Sequence, residues 1–189
     1  MMLHWIKECG KYAVITGFKN IKFIQAEAFL RAKRRETQLN VELQFFDADL
    51  VATEEHLYFA VLNAMQAFQN KTNISKSLAV EAMLYASAQR QIRKAIQLCG
   101  IKPETTSMAV VIMGENPAEI ETLLGAIAVC VGAEPDETVF EMTEVKLGKI
   151  KEAFHVKAEE IKTMMKSGNL DEAVVGLVVE RIALLATQL

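Results

Sequence analysis

The sequence contains few of the residues on which metal and redox sites depend. Its three cysteines, Cys9, Cys99 and Cys130, stand far apart and form no CxxC pair, which argues against a zinc ribbon and a disulfide framework. Its three histidines form no HxxxH or HExxH motif. We therefore predict no metal ion and no cofactor, and we expect a reducing compartment, the cytoplasm.

Long hydrophobic runs and flexible linkers are also missing. The longest apolar run, Gly125 to Ala133, is about half the length that a membrane span needs. The first ten residues contain no apolar signal core. The prolines and glycines are scattered singly, without a Pro/Ser/Gly-rich linker. The sequence predicts one domain over residues 1–189 and no membrane partner.

Motifs of the common enzyme classes are not found either. There is no GxSxG elbow and no glycine-rich phosphate loop. We predict a protein that is not an enzyme and has no catalytic residues. The alternative is a small cytoplasmic α/β enzyme whose site assembles around Asp49, the helix start at Thr53 and His56. In the first interpretation, His56 is a partly exposed surface histidine.

The order of apolar patterns predicts an α+β (mixed α/β) fold. Hydrophobic residues make up 51% of the chain and charged residues 24%, as in ordinary globular domains. Short apolar or alternating segments predict about four strands, at 11–17, 41–46, 107–113 and 138–142. Helical periodicity and capping residues predict helices at 20–35, 53–68, 117–131, 143–154, 157–166 and 170–187. We expect one small mixed sheet covered by helices.

A further long helix is predicted to begin between residues 73 and 78 and to end at Leu98. In such a helix Gln89 lies on an otherwise apolar face. A buried amide needs a hydrogen bond, so Gln89 is either a core residue bonded to a neighbouring backbone or a ligand contact. The small residues Ala86, Ser87 and Ala88 would let another group approach this helix closely.

Two groups of cations stand out against a net charge of −3, which gives the whole chain no basic field. Arg90, Arg93 and Lys94 follow helical spacing, and Lys71 and Lys76 precede them. Such a row either neutralises phosphates or is a solvated helix face.

The second group, between Arg31 and Arg35, is expected to end the first helix, where cations interact favourably with the helix dipole. Ile24, Ala28 and Phe29 are expected to face the core from that helix.

The last predicted helix, 170–187, is apolar on almost every side. Between Ala173 and Ala186 its only charged residues are Glu180 and Arg181. A terminal helix of this kind either lies within its own core or is covered by a partner. A homodimeric structural module that uses this helix is therefore a further alternative.

Three segments together resemble a known family. They are AMLYASAQRQIRKAIQLCGI (82–101), FFDADLVATEEHLYFAVLNAMQAF (45–68) and VVERIALLA (178–186). In this combination and order they resemble the PRPK-binding (TPRKB-like) subunit of the KEOPS (EKC) complex, including its archaeal relatives, over about residues 11–189. One departure is Ala88, where the family often has glycine.

The resemblance implies a non-catalytic subunit. It implies binding to the PRPK-like kinase/ATPase, and indirect partnership with the threonylcarbamoyl transferase subunit. It also implies recruitment of tRNA through the 3′ CCA end, for threonylcarbamoyl-adenosine modification at position 37. The kinase-facing residues it implies are Leu177, Val178, Arg181, Ile182 and Leu185. The RNA-facing residues it implies are Lys71, Arg90, Gln91, Arg93 and Lys94.

Overall fold

The computed structural model describes residues 2–33, 40–165 and 169–187. Within these ranges the chain forms four strands: β1 Met2–Ile6, β2 Lys11–Lys19, β3 Val41–Asp47 and β4 Ser107–Gly114. It also forms eight α-helices: α1 Phe23–Lys33, α2 Glu54–Gln69, α3 Leu78–Ala86, α4 Ile92–Cys99, α5 Pro117–Val131, α6 Glu144–Ala153, α7 Ala158–Met164 and α8 Leu170–Leu185. The predicted α+β class is confirmed.

The four strands form one sheet in the order β1-β2-β4-β3. All three pairings are antiparallel, so the prediction of a mixed sheet was wrong. The predicted strand at 138–142 was also wrong, because Glu137–Phe140 is a 3-10 helix. The fourth strand is β1, which the sequence analysis missed because a five-residue edge strand carries little periodicity.

The sheet separates two hydrophobic cores. β4 lies between β2 and β3, and its residues from Met108 to Met113 are buried on both faces. This explains its uninterrupted apolar sequence, because alternate residues of a strand point to opposite faces. Val110 and Ile112 belong to the core beneath α1 and α5, and Val111 and Met113 belong to the core shared with the other helices.

Helices α1 and α5 cover the first of these faces. The prediction for α5 is confirmed. Asn116 caps it by accepting the Ala118 backbone N–H (3.0 Å), and Gly132 ends it in the left-handed conformation. For α1 the predicted orientation was right for Phe29, which packs against this core, and wrong for Ile24 and Ala28, which are exposed. Ala26 and Leu30 face the core instead. Arg34 and Arg35 lie outside the described residues.

Helices α2 and α3 form an antiparallel hairpin on the opposite face. Thr53 caps α2, as predicted, by accepting the His56 backbone N–H. At the open end of the hairpin, His56 of α2 contacts the carbonyl of Ala86, the last residue of α3. At the closed end, Phe68 and Leu78 line the same groove.

The predicted long helix is broken between α3 and α4. Ala88 has a positive φ of 50°, and the Gln89 backbone N–H donates to the Leu84 carbonyl (3.0 Å). This is the pattern of a helix that ends in a left-handed residue. The single face that the sequence predicted through Gln89 therefore stops at Tyr85.

Helices α6, α7 and α8 complete this layer. α8 packs against α2 and α7, and Asn169 caps it by accepting the N–H groups of Asp171 and Glu172. Gly168, which precedes α8 in the sequence, lies outside the described residues.

Candidate functional site

The apolar residues of α8 lie in the protein's own core. Leu177, Val178, Ile182 and Leu185 are all nearly or fully inaccessible to solvent. They pack in the core that α8 shares with α2, α3 and α6. The assignment of these four residues to a partner-facing surface was therefore wrong, because their burial in this structure keeps a partner from contacting them. The pattern alone did not distinguish the two environments, since a buried helix and a covered helix are equally apolar.

Arg181, the fifth residue predicted on this surface, is held by its own chain. Its guanidinium donates to both carboxylate oxygens of Glu160 on α7 (3.0 and 3.1 Å) and to the carbonyls of Leu177 and His155. The Lys157 backbone N–H also donates to Glu160, and this bond together with Arg181 lowers the pKa of the Glu160 carboxyl. Arg181 thus fixes α7 against α8.

α8 nevertheless presents a narrow accessible face. Leu184 is 47% exposed, and Val179 is half-buried. The residues of this face are Gly176, Val179, Glu180, Ala183, Leu184 and Thr187. Their spacing of three and four residues puts them on one side of the helix. We call this set the α8 face.

Next to the α8 face lies a groove between the first turns of α2 and α8, with a volume of about 560 Å³. We call it the α2–α8 groove. Its apolar lining consists of Phe59, Val175, Gly176 and Val179. Its polar lining consists of Thr53, Glu54, Glu55, Asp171 and Glu172. The sequence analysis predicted the two helix starts but could not bring them together, since Glu55 and Asp171 lie far apart along the chain.

A second exposed surface lies at the start of α4. Arg90, Gln91, Arg93 and Lys94 are all exposed, and together we call them the α4 basic turn. The first turn of α4 contains no acidic residue, and the side chain of Gln91 makes no capping hydrogen bond. Ile92 and Ile96 are also exposed on this helix. The sequence analysis placed these residues on one long helix, whereas in the structure Arg90 and Gln91 precede α4 and Arg93 and Lys94 lie in its first turn.

Lys71 does not lie with the α4 basic turn. It is exposed and has a positive φ of 58° just after α2, at the closed end of the α2–α3 hairpin. Arg90 follows the open end. The nine residues of α3 separate the two ends by about 13 Å.

The α8 face and the α4 basic turn approach each other at a cavity of about 230 Å³ beside the α3–α4 break. Ala88 and Gln89 line it from one side, and Arg181 and Leu184 of α8 line it from the other. Gln89 is half-buried here. The break in the helix therefore sets the α4 basic turn next to the end of α8.

Comparison with known proteins decides the family. The sequence model of the family described as "Kinase binding protein CGI-121" matches residues 18–185. The chain belongs to the CGI-121 family.

Individual relatives agree with the CGI-121 assignment. The "Regulatory protein Cgi121" of Methanocaldococcus jannaschii is 33% identical over 119 residues, which are 63% of this chain and 74% of that protein. The "EKC/KEOPS complex subunit cgi121" of Aspergillus terreus is 26% identical over 140 residues, which are 71% of each protein. The resemblance drawn from the three sequence segments is thereby confirmed.

His56 has a structural role in this CGI-121 chain, and the expectation that it is partly exposed was wrong. It is completely buried. The Ala52 backbone N–H donates to Nδ1 (3.0 Å), so Nε2 carries the proton and donates to the Ala86 carbonyl (2.7 Å). Burial lowers the pKa of His56 to about 4. His56 ties the start of α2 to the end of α3 and so positions the α3–α4 break.

The enzyme site considered in the sequence analysis does not assemble around these residues. Both ring nitrogens of His56 are bonded to backbone, and Asp49 forms an ion pair with Lys149 (2.6 Å) on the surface. Among the described residues no group of three or more His, Cys, Asp or Glu side chains is placed to hold a metal ion. None of the helices described for this CGI-121 chain is long and apolar enough to cross a membrane.

Proposed function

We propose that this chain is a non-catalytic subunit of a KEOPS (EKC) complex. It binds the PRPK-like kinase/ATPase and is linked through it to the threonylcarbamoyl transferase subunit. It recruits tRNA by the 3′ CCA end for threonylcarbamoyl-adenosine modification at position 37. The observation that carries this proposal is the CGI-121 family match over residues 18–185. The names of the two relatives add regulation and membership of the EKC/KEOPS complex.

The α8 face is the surface that we assign to the kinase. It is the accessible side of a helix whose other sides are already fixed in the core, so it presents Leu184 on a rigid support. Leu184 also lines the cavity beside the α3–α4 break, and a partner bound there would remove its exposed apolar surface from water. Glu180, on the same face, would orient the partner more than it would add affinity.

Size-exclusion chromatography of a mixture with the PRPK-like kinase tests this assignment. The wild-type chain is expected to co-elute with the kinase, and Leu184→Glu is expected to elute separately. Val129→Glu is the matched control, because Val129 is an equally apolar, 83% exposed residue on α5, across the sheet. Co-elution of Leu184→Glu with the kinase, or failure of the wild type to co-elute, would contradict the assignment.

The α4 basic turn is the surface that we assign to tRNA. Cations in the first turn of a helix oppose the helix dipole, so Arg93 and Lys94 do not stabilise α4 where they stand. In the part of the chain that the structure describes, neither of them forms an ion pair with a carboxylate. An uncapped helix start flanked by cations favours a phosphate group. The exposed Ile92 and Ile96 can contact unstacked bases.

Titration of labelled tRNA over a series of salt concentrations tests the RNA assignment. Arg93→Gln and Lys94→Gln are each expected to weaken binding and to reduce the salt dependence by about one unit of slope. Lys22→Gln on the α1 side is the control. Lys71 stays a predicted contact, and Lys71→Gln is expected to change the slope only if the RNA extends along α3. Unchanged binding by the Arg93 and Lys94 variants, or undiminished binding of tRNA without its CCA end, would contradict the assignment.

A further inference from the structure

The α2–α8 groove has a lining that none of the functions above uses. Its floor is apolar, with Phe59 from α2 and Val175 and Val179 from α8. Its volume of about 560 Å³ is within the range of cavities that bind specific groups. Since Val179 belongs both to the groove and to the α8 face, the two surfaces are continuous.

The rim of this groove has charge of one sign. Four carboxylates line it, namely Glu54, Glu55, Asp171 and Glu172, and among the described residues of the lining none is Lys, Arg or His. Oε1 of Glu54 also forms a hydrogen bond with Nε2 of His4 (2.8 Å). The carboxylates stand in the first turns of two helices, where the dipoles favour them. Capping accounts for each carboxylate separately, but it does not account for two helix starts that meet across an apolar groove.

We propose that the α2–α8 groove receives a segment of the kinase partner in which an apolar side chain is flanked by lysine or arginine. This inference rests on the proposed function, because it names the chemistry of the partner next to the α8 face. The apolar side chain would lie on Phe59 and Val175, and the cations would reach the acidic rim. Complementary charge of this kind acts mainly on the rate of association.

The test is the association rate with the PRPK-like kinase, measured by surface plasmon resonance between low and high salt. Glu55→Gln/Asp171→Asn removes two rim charges and keeps the side-chain shapes. Glu121→Gln/Glu134→Gln removes the same charge from exposed residues that do not line the groove. At low salt the rim variant is expected to associate at least about fivefold more slowly than the wild type and to lose most of the salt dependence. The control pair should change neither property.

The outcomes separate this inference from the proposed function. If Leu184→Glu abolishes binding while the rim variant and the control pair associate at the same rate, the groove inference is overturned and the proposed function stands. If the wild-type chain does not bind the kinase at all, both fall. Sedimentation of the chain alone tests whether a second copy of the chain occupies the groove. A dimer that dissociates in the rim variant would overturn the inference.

Discussion

At the scale of single residues, Ala88 determines where two helices separate. A residue with a side chain pays an energetic penalty in the left-handed conformation, and glycine does not. The alanine gives no sequence signal for a break, which is why one long helix was predicted across it. The sequence analysis related the small side chain of Ala88 to the close approach of another group, and its positive φ gives a conformational explanation instead.

Replacing this residue should therefore stabilise the protein. Ala88→Gly is expected to raise the free energy of unfolding by about 1 kcal/mol, because it removes the left-handed penalty. Urea unfolding measures this change. Ala126→Gly, at an exposed position inside α5, is the control and should lower stability by about 1 kcal/mol. A destabilised Ala88→Gly variant would contradict the description of the break.

His56 gives the stability a defined pH dependence. Its pKa is about 4 in the folded chain and about 6.5 when unfolded. Above pH 6.5 both states are neutral and the stability is complete. As the pH falls from 6.5 towards 4, only the unfolded state binds the proton, so stability is lost by up to about 3 kcal/mol.

Urea unfolding of the wild type and of His56→Gln at several pH values between 7.5 and 4.5 tests this account. The variant is expected to be less stable at pH 7.5, because glutamine does not reproduce the two hydrogen bonds of the His56 ring to the backbone of Ala52 and Ala86. Its disadvantage should shrink as the pH falls, since it has no histidine to protonate at this position. A difference in stability that stays constant with pH would show that His56 is not buried in its neutral form.

At the scale of secondary-structure elements, local signals predicted some helices well and others poorly. Capping residues and apolar periodicity predicted a helix at 117–131, and α5 has these bounds. The segment 138–142 contains β-branched and aromatic residues, and these suggested a strand where tertiary packing favours a 3-10 helix. For α8, periodicity predicted the helix but not which residues the rest of the chain already covers.

The two sides of α8 are expected to differ in their effect on stability. Ile182→Ala removes a fully buried side chain and should lower the free energy of unfolding by about 2–5 kcal/mol. Leu184→Ala, two residues away, should change it by less than about 1 kcal/mol, because that side chain is half in solvent. Thermal or urea unfolding of both variants measures the contrast. Equal losses would mean that α8 is rotated relative to this description.

At the scale of the whole molecule, the sheet divides the protein into two sides with different surfaces. The α8 face, the α2–α8 groove and the α4 basic turn all belong to the helical layer built around α2, α3 and α8. The layer of α1 and α5 carries none of them. Chain order gave no indication of this division, because the helices of the two layers alternate along the sequence.

The central claim, that the kinase binds on the side of α2 and α8, is tested most directly by hydrogen–deuterium exchange with and without the PRPK-like kinase. The first-turn N–H groups of a helix have no backbone partner within the helix, so contact with a partner slows their exchange. Residues 53–60 and 170–187 contain the first turns of α2 and α8 and the α8 face. We predict slower exchange in both segments in the complex and no change in 117–131. Slower exchange confined to 117–131 would contradict the account.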